Sequence, residues 1–199
     1  MRPRHIALAL ALAFLSAACA SGPFDPGRLE DMKRRSEYTD LAAACLSHDE
    51  IWFFNEAGES LRIDALNVTP ELLAAARARW SGDRTFTDTL ARWLPKGEGR
   101  LVLLGLFNRR FKKDDFLKTG SYRARLVLPD GRGIDHDFAE EAQARFLADY
   151  FPAFNHWAKV FALHFPADPA APASLEVRWP SGDRTLPLKR PAGAPAPAS

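Results

Sequence analysis

The chain has 199 residues, with 27 Lys and Arg, 25 Asp and Glu, and two Cys. That length supports one ordinary domain with a real core. The basic excess consists of Arg2 and Arg4, so the rest of the chain is formally neutral and gives no electrostatic reason to expect nucleic-acid binding.

Arg2 and Arg4 provide a cationic start, and Ile6 to Ala18 is an unbroken run of apolar and small residues that closes as Leu15-Ser16-Ala17-Ala18-Cys19. Residues 1–18 therefore read as a secretory signal peptide, too short to span a bilayer as a helix. The ending resembles the lipobox of bacterial lipoproteins, in which small residues precede an obligatory Cys. The resemblance implies cleavage between Ala18 and Cys19 and a diacylglyceryl thioether on Cys19, often with a further acyl chain such as palmitate on the new amino group. It also implies the outer membrane, with the domain on the periplasmic side, because Ala20 rather than Asp follows the cysteine.

Residues 19–27 read as the lipidated Cys and a short tether, and 28–190 as a single domain. Arg28 to about Leu46 is expected to be helical, with Leu29, Met32, Leu41 and Cys45 as its apolar positions. Ile51–Phe54 is a strand candidate. In Ser60–Val68, Leu61, Ile63 and Ala65 alternate with Arg62 and Asp64, the period-2 pattern of a half-buried strand. Thr69-Pro70-Glu71 is a helix start, since Thr caps, Pro fits the first helical position and Glu favours the dipole. Leu72, Leu73, Ala76 and Trp80 mark the buried face, and Gly82 is expected to end the helix. Phe86, Leu90, Trp93 and Leu94 repeat helical spacing up to Pro95.

Leu101-Val-Leu-Leu104 is apolar on both faces, which predicts a central strand over Arg100–Phe107. Asn108–Lys118 is a charged excursion. Ser121–Leu128 and Gly133–Phe138 flank Pro129-Asp130-Gly131, which reads as a three-residue hairpin loop with Gly131 left-handed. That register opposes Arg125 to Asp135, Arg123 to Asp137, Ala124 to His136 and Tyr122 to Phe138. Glu140–Tyr150 has helical spacing. Trp157–Phe165 is again apolar on both faces. Leu175–Trp179 and Thr185–Leu188 flank a second turn, Pro180-Ser-Gly-Asp183. Residues 191–199 are Pro, Ala and Gly with a terminal Ser, and read as a disordered tail.

These patterns predict an α+β fold, a small antiparallel β-sandwich of immunoglobulin-like type with helices of the first half packed on it. The order of strand patterns over about residues 95–190, with the Phe151-Pro152 to Phe165 stretch, resembles uncharacterised lipoproteins of Gram-negative envelopes, which carry no known activity.

Few residues suggest chemistry. Cys45 sits in Leu41-Ala-Ala-Ala-Cys45-Leu46 and reads as a buried thiol; His48 and Asp49 would have to activate it for a nucleophilic role. Asp135-His136-Asp137 looks like a metal or acid–base site, yet strand alternation turns His136 away from both Asp, so a salt-bridge pairing with Arg123 and Arg125 is preferred. His164, between Leu163 and Phe165, reads as a hydrogen-bonded core or rim residue. No metal-ligand spacing is present, and no metal or cofactor is expected. Arg109, Arg110, Lys112 and Lys113 put four cations in five residues, either a solvated loop or a contact with anionic headgroups.

The resulting expectation is a lipid-anchored envelope protein of non-enzymatic, interaction or structural type. Its expected partners are the membrane, through lipid on Cys19, and an envelope protein, with no nucleic acid. The alternatives are an envelope hydrolase with scattered catalytic residues and a small-ligand or lipid carrier with a cavity between helices and sheet.

Overall fold

A computed structural model describes residues 35, 37–52, 60–94, 98–108, 123–152, 154, 159–179 and 182–192. Glu37–Ser199 forms one compact unit, separate from Met1–Ser36. Residues 37–44 are helical (α1). After them come β1 (Leu46–Trp52), β2 (Ser60–Val68), α2 (Pro70–Arg79), α3 (Arg84–Trp93), β3 (Arg100–Asn108), β4 (Arg123–Val127), β5 (Gly133–Asp135), β6 (Phe138–Glu141), α4 (Ala144–Tyr150), β7 (Lys159–Phe165), β8 (Ser174–Trp179) and β9 (Gly182–Pro187). One sheet has the order β1-β2-β3-β7-β6 and the other β5-β4-β8-β9. Every pairing is antiparallel.

The five-stranded sheet is apolar on both faces, and this sets the layering. Ile63, Ala65, Val102, Leu104, Phe161, Leu163 and Phe165 meet Ala124, Leu126, Leu175, Val177 and Leu186 of the four-stranded sheet. Leu66, Val68, Leu101, Leu103, Val160 and Ala162 face the other way, against Leu72, Ala76, Phe86, Leu90, Trp93, Phe146 and Leu147 of the helices. The fold is thus α+β in three layers: helices, five-stranded sheet, four-stranded sheet. The doubly apolar runs in β3 and β7 are central strands, as their sequences predict. The strand order establishes no immunoglobulin-like topology.

Local chemistry explains the helices. Thr69 Oγ1 accepts from the N–H of Leu72 at 3.3 Å with Pro70 at the first helical position, and Asp83 Oδ1 accepts from the N–H of Phe86 at 3.2 Å. These are N-caps that satisfy otherwise orphaned donors. In α3 the buried residues are Phe86, Thr89, Leu90 and Trp93, one stripe at helical spacing. Helix α2 ends at Arg79, capped by Trp80, before Gly82 is reached. There the Trp80 ring packs edge-on against Tyr38 and Tyr150 at 5.0 and 5.2 Å.

Several expectations need correction. The helix expected to reach Leu46 stops at residue 44, and β1 already starts at Leu46. Leu46 to Trp52 are taken up in ladder pairing with Leu66 to Ser60. The remainder of the 51–54 strand candidate, residues 53 and 54, lies outside the described residues. Strand β2 is not half-buried: Asp64 is 1% exposed, because the helix-side face of this sheet is covered as well.

The largest correction concerns residues 133–138. The turn itself forms as expected: Leu128 N–H donates to Arg132 O at 3.0 Å, and Gly131 has φ of 81°. Val127, Leu126 and Arg125 pair with Gly133, Ile134 and Asp135 in the expected register. The strand then leaves. After His136 the chain crosses to the other sheet, where Phe138–Glu141 pairs with β7 and Phe138 opposes His164. The expected pairs of Ala124 with His136 and Arg123 with Asp137 are therefore not made, and Phe138 is taken by β7; Tyr122 lies outside the described residues. Period-2 parity fixes which face a residue takes, not which strand receives it. The outer edge of β7 offered backbone groups that needed partners. The same crossing shortens the helix expected over Glu140–Tyr150 to Ala144–Tyr150.

The crossing also joins one side of the sandwich covalently. On the other side Ser47 Oγ donates to Pro187 O, Asn67 Nδ2 donates to Lys189 O at 2.9 Å, and Arg184 lies 3.4 Å from Asp49.

Candidate functional site

The crossing places Asp137 beside β7. Asp137 Oδ1 lies 2.5 Å from His164 Nδ1, and His164 Nε2 lies 2.8 Å from the carbonyl of Glu98. His164 is 3% exposed. Both of its ring nitrogens thus face acceptors, and a neutral imidazole can donate to only one of them. Gly99 makes this possible. It has φ of 99°, and a Cβ there would lie 2.3 Å from His164 Nε2 and 2.8 Å from Phe165 O. Only glycine lets the chain pass this close above the ring in that conformation.

This pair forms one end of a cleft of about 640 Å³, whose walls include Val68, Leu73, Leu94 and Leu101. Pro166, Ala167, Asp168 and Pro169, which follow β7, form a lip of the cleft. The lip is held from beneath by Arg100, which is fully buried. Its Nη2 donates to Asp168 O at 2.8 Å, to Pro169 O at 3.1 Å and to Ala171 O. Burial lowers the guanidinium to about 10. Asp168 Oδ1 itself accepts from the N–H of Ala170 at 2.8 Å. The cleft lies where the last turn of α3, the first turn of α2 and the ends of β3 and β7 fail to close over one another. Its size and mainly apolar wall are those of a ligand site.

A second constellation lies near the β1 edge of the same sheet. His48 and Asp64 are opposed across β1 and β2. His48 Nδ1 is 2.8 Å from Asp64 Oδ1, and Arg62 Nε donates to both Asp64 oxygens at 3.1 and 3.0 Å. The Asp64 side chain is 2% exposed and that of His48 44%.

The other sequence candidates fall as follows. Cys45 is fully buried, its Sγ lies 3.9 Å from Thr69 Oγ1, and burial pushes its thiol up. It is a packed thiol, and His48 is turned to Asp64 instead. Asp135-His136-Asp137 is dispersed: Asp135 meets Arg123 at 2.8 Å, Asp137 meets His164, and the His136 ring packs edge-on to Phe165 at 6.2 Å. Arg125 takes Glu176 at 3.3 Å. Asp135 is ion-paired as expected, but with Arg123 on the diagonal rather than with Arg125 opposite it; the expected Arg125–Asp135 and Arg123–Asp137 ion pairs give way to Arg125–Glu176 and Asp137–His164. His164 is the hydrogen-bonded core residue expected. Ala18, Cys19, Arg109, Arg110, Lys112 and Lys113 lie outside the described residues.

Sequence reasoning offered a cavity between helices and sheet only as an alternative and named none of its residues as a site, and it missed the Asp64 cluster. Pro166-Ala-Asp-Pro169 after an apolar strand, and Gly99 one residue before another, were the available signals. They mark irregular backbone, but no local pattern shows that the two meet at His164. Comparison with known proteins finds no matching family, no matching curated protein and no matching solved structure.

Proposed function

We propose that this chain is a lipid-anchored envelope protein of binding rather than catalytic type, holding an apolar ligand in the cleft between α2, α3 and the five-stranded sheet. The observation that carries the reading is the cleft itself, about 640 Å³ with Val68, Leu73, Leu94 and Leu101 in its wall. Removing a ligand's apolar surface from water there is favourable at roughly 25 cal/mol per Å². His164, the imidazole in the wall, has both nitrogens engaged within the protein and holds structure instead of moving protons. The anchor on Cys19 rests on the lipobox resemblance and puts the cleft within tether length of a bilayer, where apolar ligands are abundant.

Photocrosslinking tests the reading. The full chain, reconstituted in phosphatidylcholine vesicles, is exposed to a photoreactive dodecanol. Labelling should concentrate on the peptides bearing Leu73, Leu101 and Pro166–Pro169 and be lost in Leu73→Glu. Labelling spread evenly over the surface would contradict it.

One observation favours the hydrolase alternative. Asp64 engages His48 at Nδ1, and the His48 side chain is 44% exposed, an arrangement suited to a general base. His48→Gln should leave any ester hydrolysis by the purified protein unchanged if the binding reading is right. A loss of about a hundredfold or more, the size of a general-base contribution, would favour the enzyme.

A further inference from the structure

We propose that the ligand of the cleft is an amphiphile with an apolar chain and one ammonium head, a reading that rests on the apolar-ligand assignment above. The argument is one of donors and acceptors. Among the described residues that line the cleft, the titratable ones are Glu98, Asp137, Asp168 and His164, with neither Lys nor Arg. Both ring nitrogens of His164 are engaged, by Asp137 Oδ1 and the Glu98 carbonyl. Among the described residues, the cleft's side chains therefore present acceptors to a ligand and no free donor. Counting Asp137 and His164 as one neutral pair still leaves the carboxylates of Glu98 and Asp168. Arg100 is fully buried beneath the lip and spends its Nη2 on three backbone carbonyls, and Arg190 donates to the carbonyl of Ala170; neither is among the described lining residues.

A carboxylate or phosphate head would meet like charge in a partly desolvated place and find no donor among the described lining side chains to replace its lost water. A hydroxyl head would donate once. An ammonium head brings three donors and the opposite charge, and matches both features of the site. The alkyl part lies against Leu73, Leu94 and Leu101, and the head against the carboxylates.

The test uses three photoreactive dodecyl probes that differ only in the head: ammonium, hydroxyl and carboxylate. Each is applied to the full chain in phosphatidylcholine vesicles, and labelled peptides are quantified by mass spectrometry. The ammonium probe should label the cleft peptides about tenfold more than the carboxylate probe, with the hydroxyl probe between them. Asp168→Asn keeps the oxygen that accepts from Ala170 and removes the charge; it should reduce the ammonium preference several-fold. Asp137→Asn should do the same while keeping an acceptor for His164, and Asp168→Asn decides the matter if that variant does not fold. Equal cleft labelling by ammonium and hydroxyl probes, or a preference for carboxylate, overturns the inference and leaves the apolar-ligand reading standing. Absence of cleft labelling by all three overturns both.

Discussion

Asp137 Oδ1 and His164 Nδ1 lie 2.5 Å apart at the point where the chain passes from one sheet to the other. The adjacent backbone reinforces the contact, since the N–H of Asp137 donates to the carbonyl of His164 at 3.0 Å. The pair thus pins the sheet crossing and one end of the cleft together. The His164 side chain is 4% exposed and that of Asp137 48%, so the cost of breaking the pair falls on the histidine. Asp137→Ala should destabilise the protein by about 1–3 kcal/mol, the usual range for stranding a buried donor. Asp135→Ala removes a pair with Arg123 in which both side chains are more than half exposed, and should cost no more than about 0.5 kcal/mol. Urea unfolding of the two variants gives the comparison; equal costs would mean that the His164 contact bears no load.

Gly99→Ala is expected to be the more damaging single-methyl change. The new Cβ meets His164 Nε2 and the carbonyl of Phe165, and the backbone is left-handed there. A loss of about 2–4 kcal/mol is expected from strain plus displacement of the ring. Gly82→Ala is the control, because nothing lies within 4 Å of a Cβ at that position. Its melting temperature should change by no more than about 2 °C, in keeping with a surface substitution.

Acid should weaken the fold partly through His136. Burial holds this imidazole below its ordinary value, against the opposing pull of Asp135 and Asp137. The unfolded chain therefore takes up a proton on His136 before the folded chain does. The stability from this group is complete above the ordinary histidine pKa of about 6.5 and falls as the pH drops below it. The effect is modest because the ring is half-buried. Denaturation midpoints at pH 7.5 and 5.0 should differ less in His136→Asn than in the unaltered protein; an unchanged difference would remove His136 from the acid response.

The anchor has its own test. Cys19→Ser removes the thiol that the lipobox resemblance assigns to the lipid. The variant should lose acyl labelling, keep residues 1–18, and leave the outer-membrane fraction. A variant that is still cut and still fractionates with the outer membrane would contradict lipid anchoring.

Much of the secondary structure was legible because local rules decided it. Thr69-Pro70 announced α2, Pro129-Asp130-Gly131 announced its turn and register, and the doubly apolar runs in β3 and β7 announced central strands. What was not legible depends on contacts distant in sequence. Asp64 looks solvent-facing when β2 is read as a half-buried strand, but the helices cover that face. Asp137 looks like a partner for Arg123 until β7, more than twenty residues later, offers its edge and His164. The cleft is a further step removed, since it is a gap left where four elements end. No periodicity encodes a gap.

Methyl NMR of the purified protein titrated with 1-decanol tests the central claim most directly. Saturable shifts confined to the methyls of Val68, Leu73, Leu94 and Leu101, with Val102, Leu104 and Leu163 of the sandwich core unmoved, are the predicted result. Shifts scattered over surface methyls, or none at saturating decanol, would contradict an apolar binding cleft.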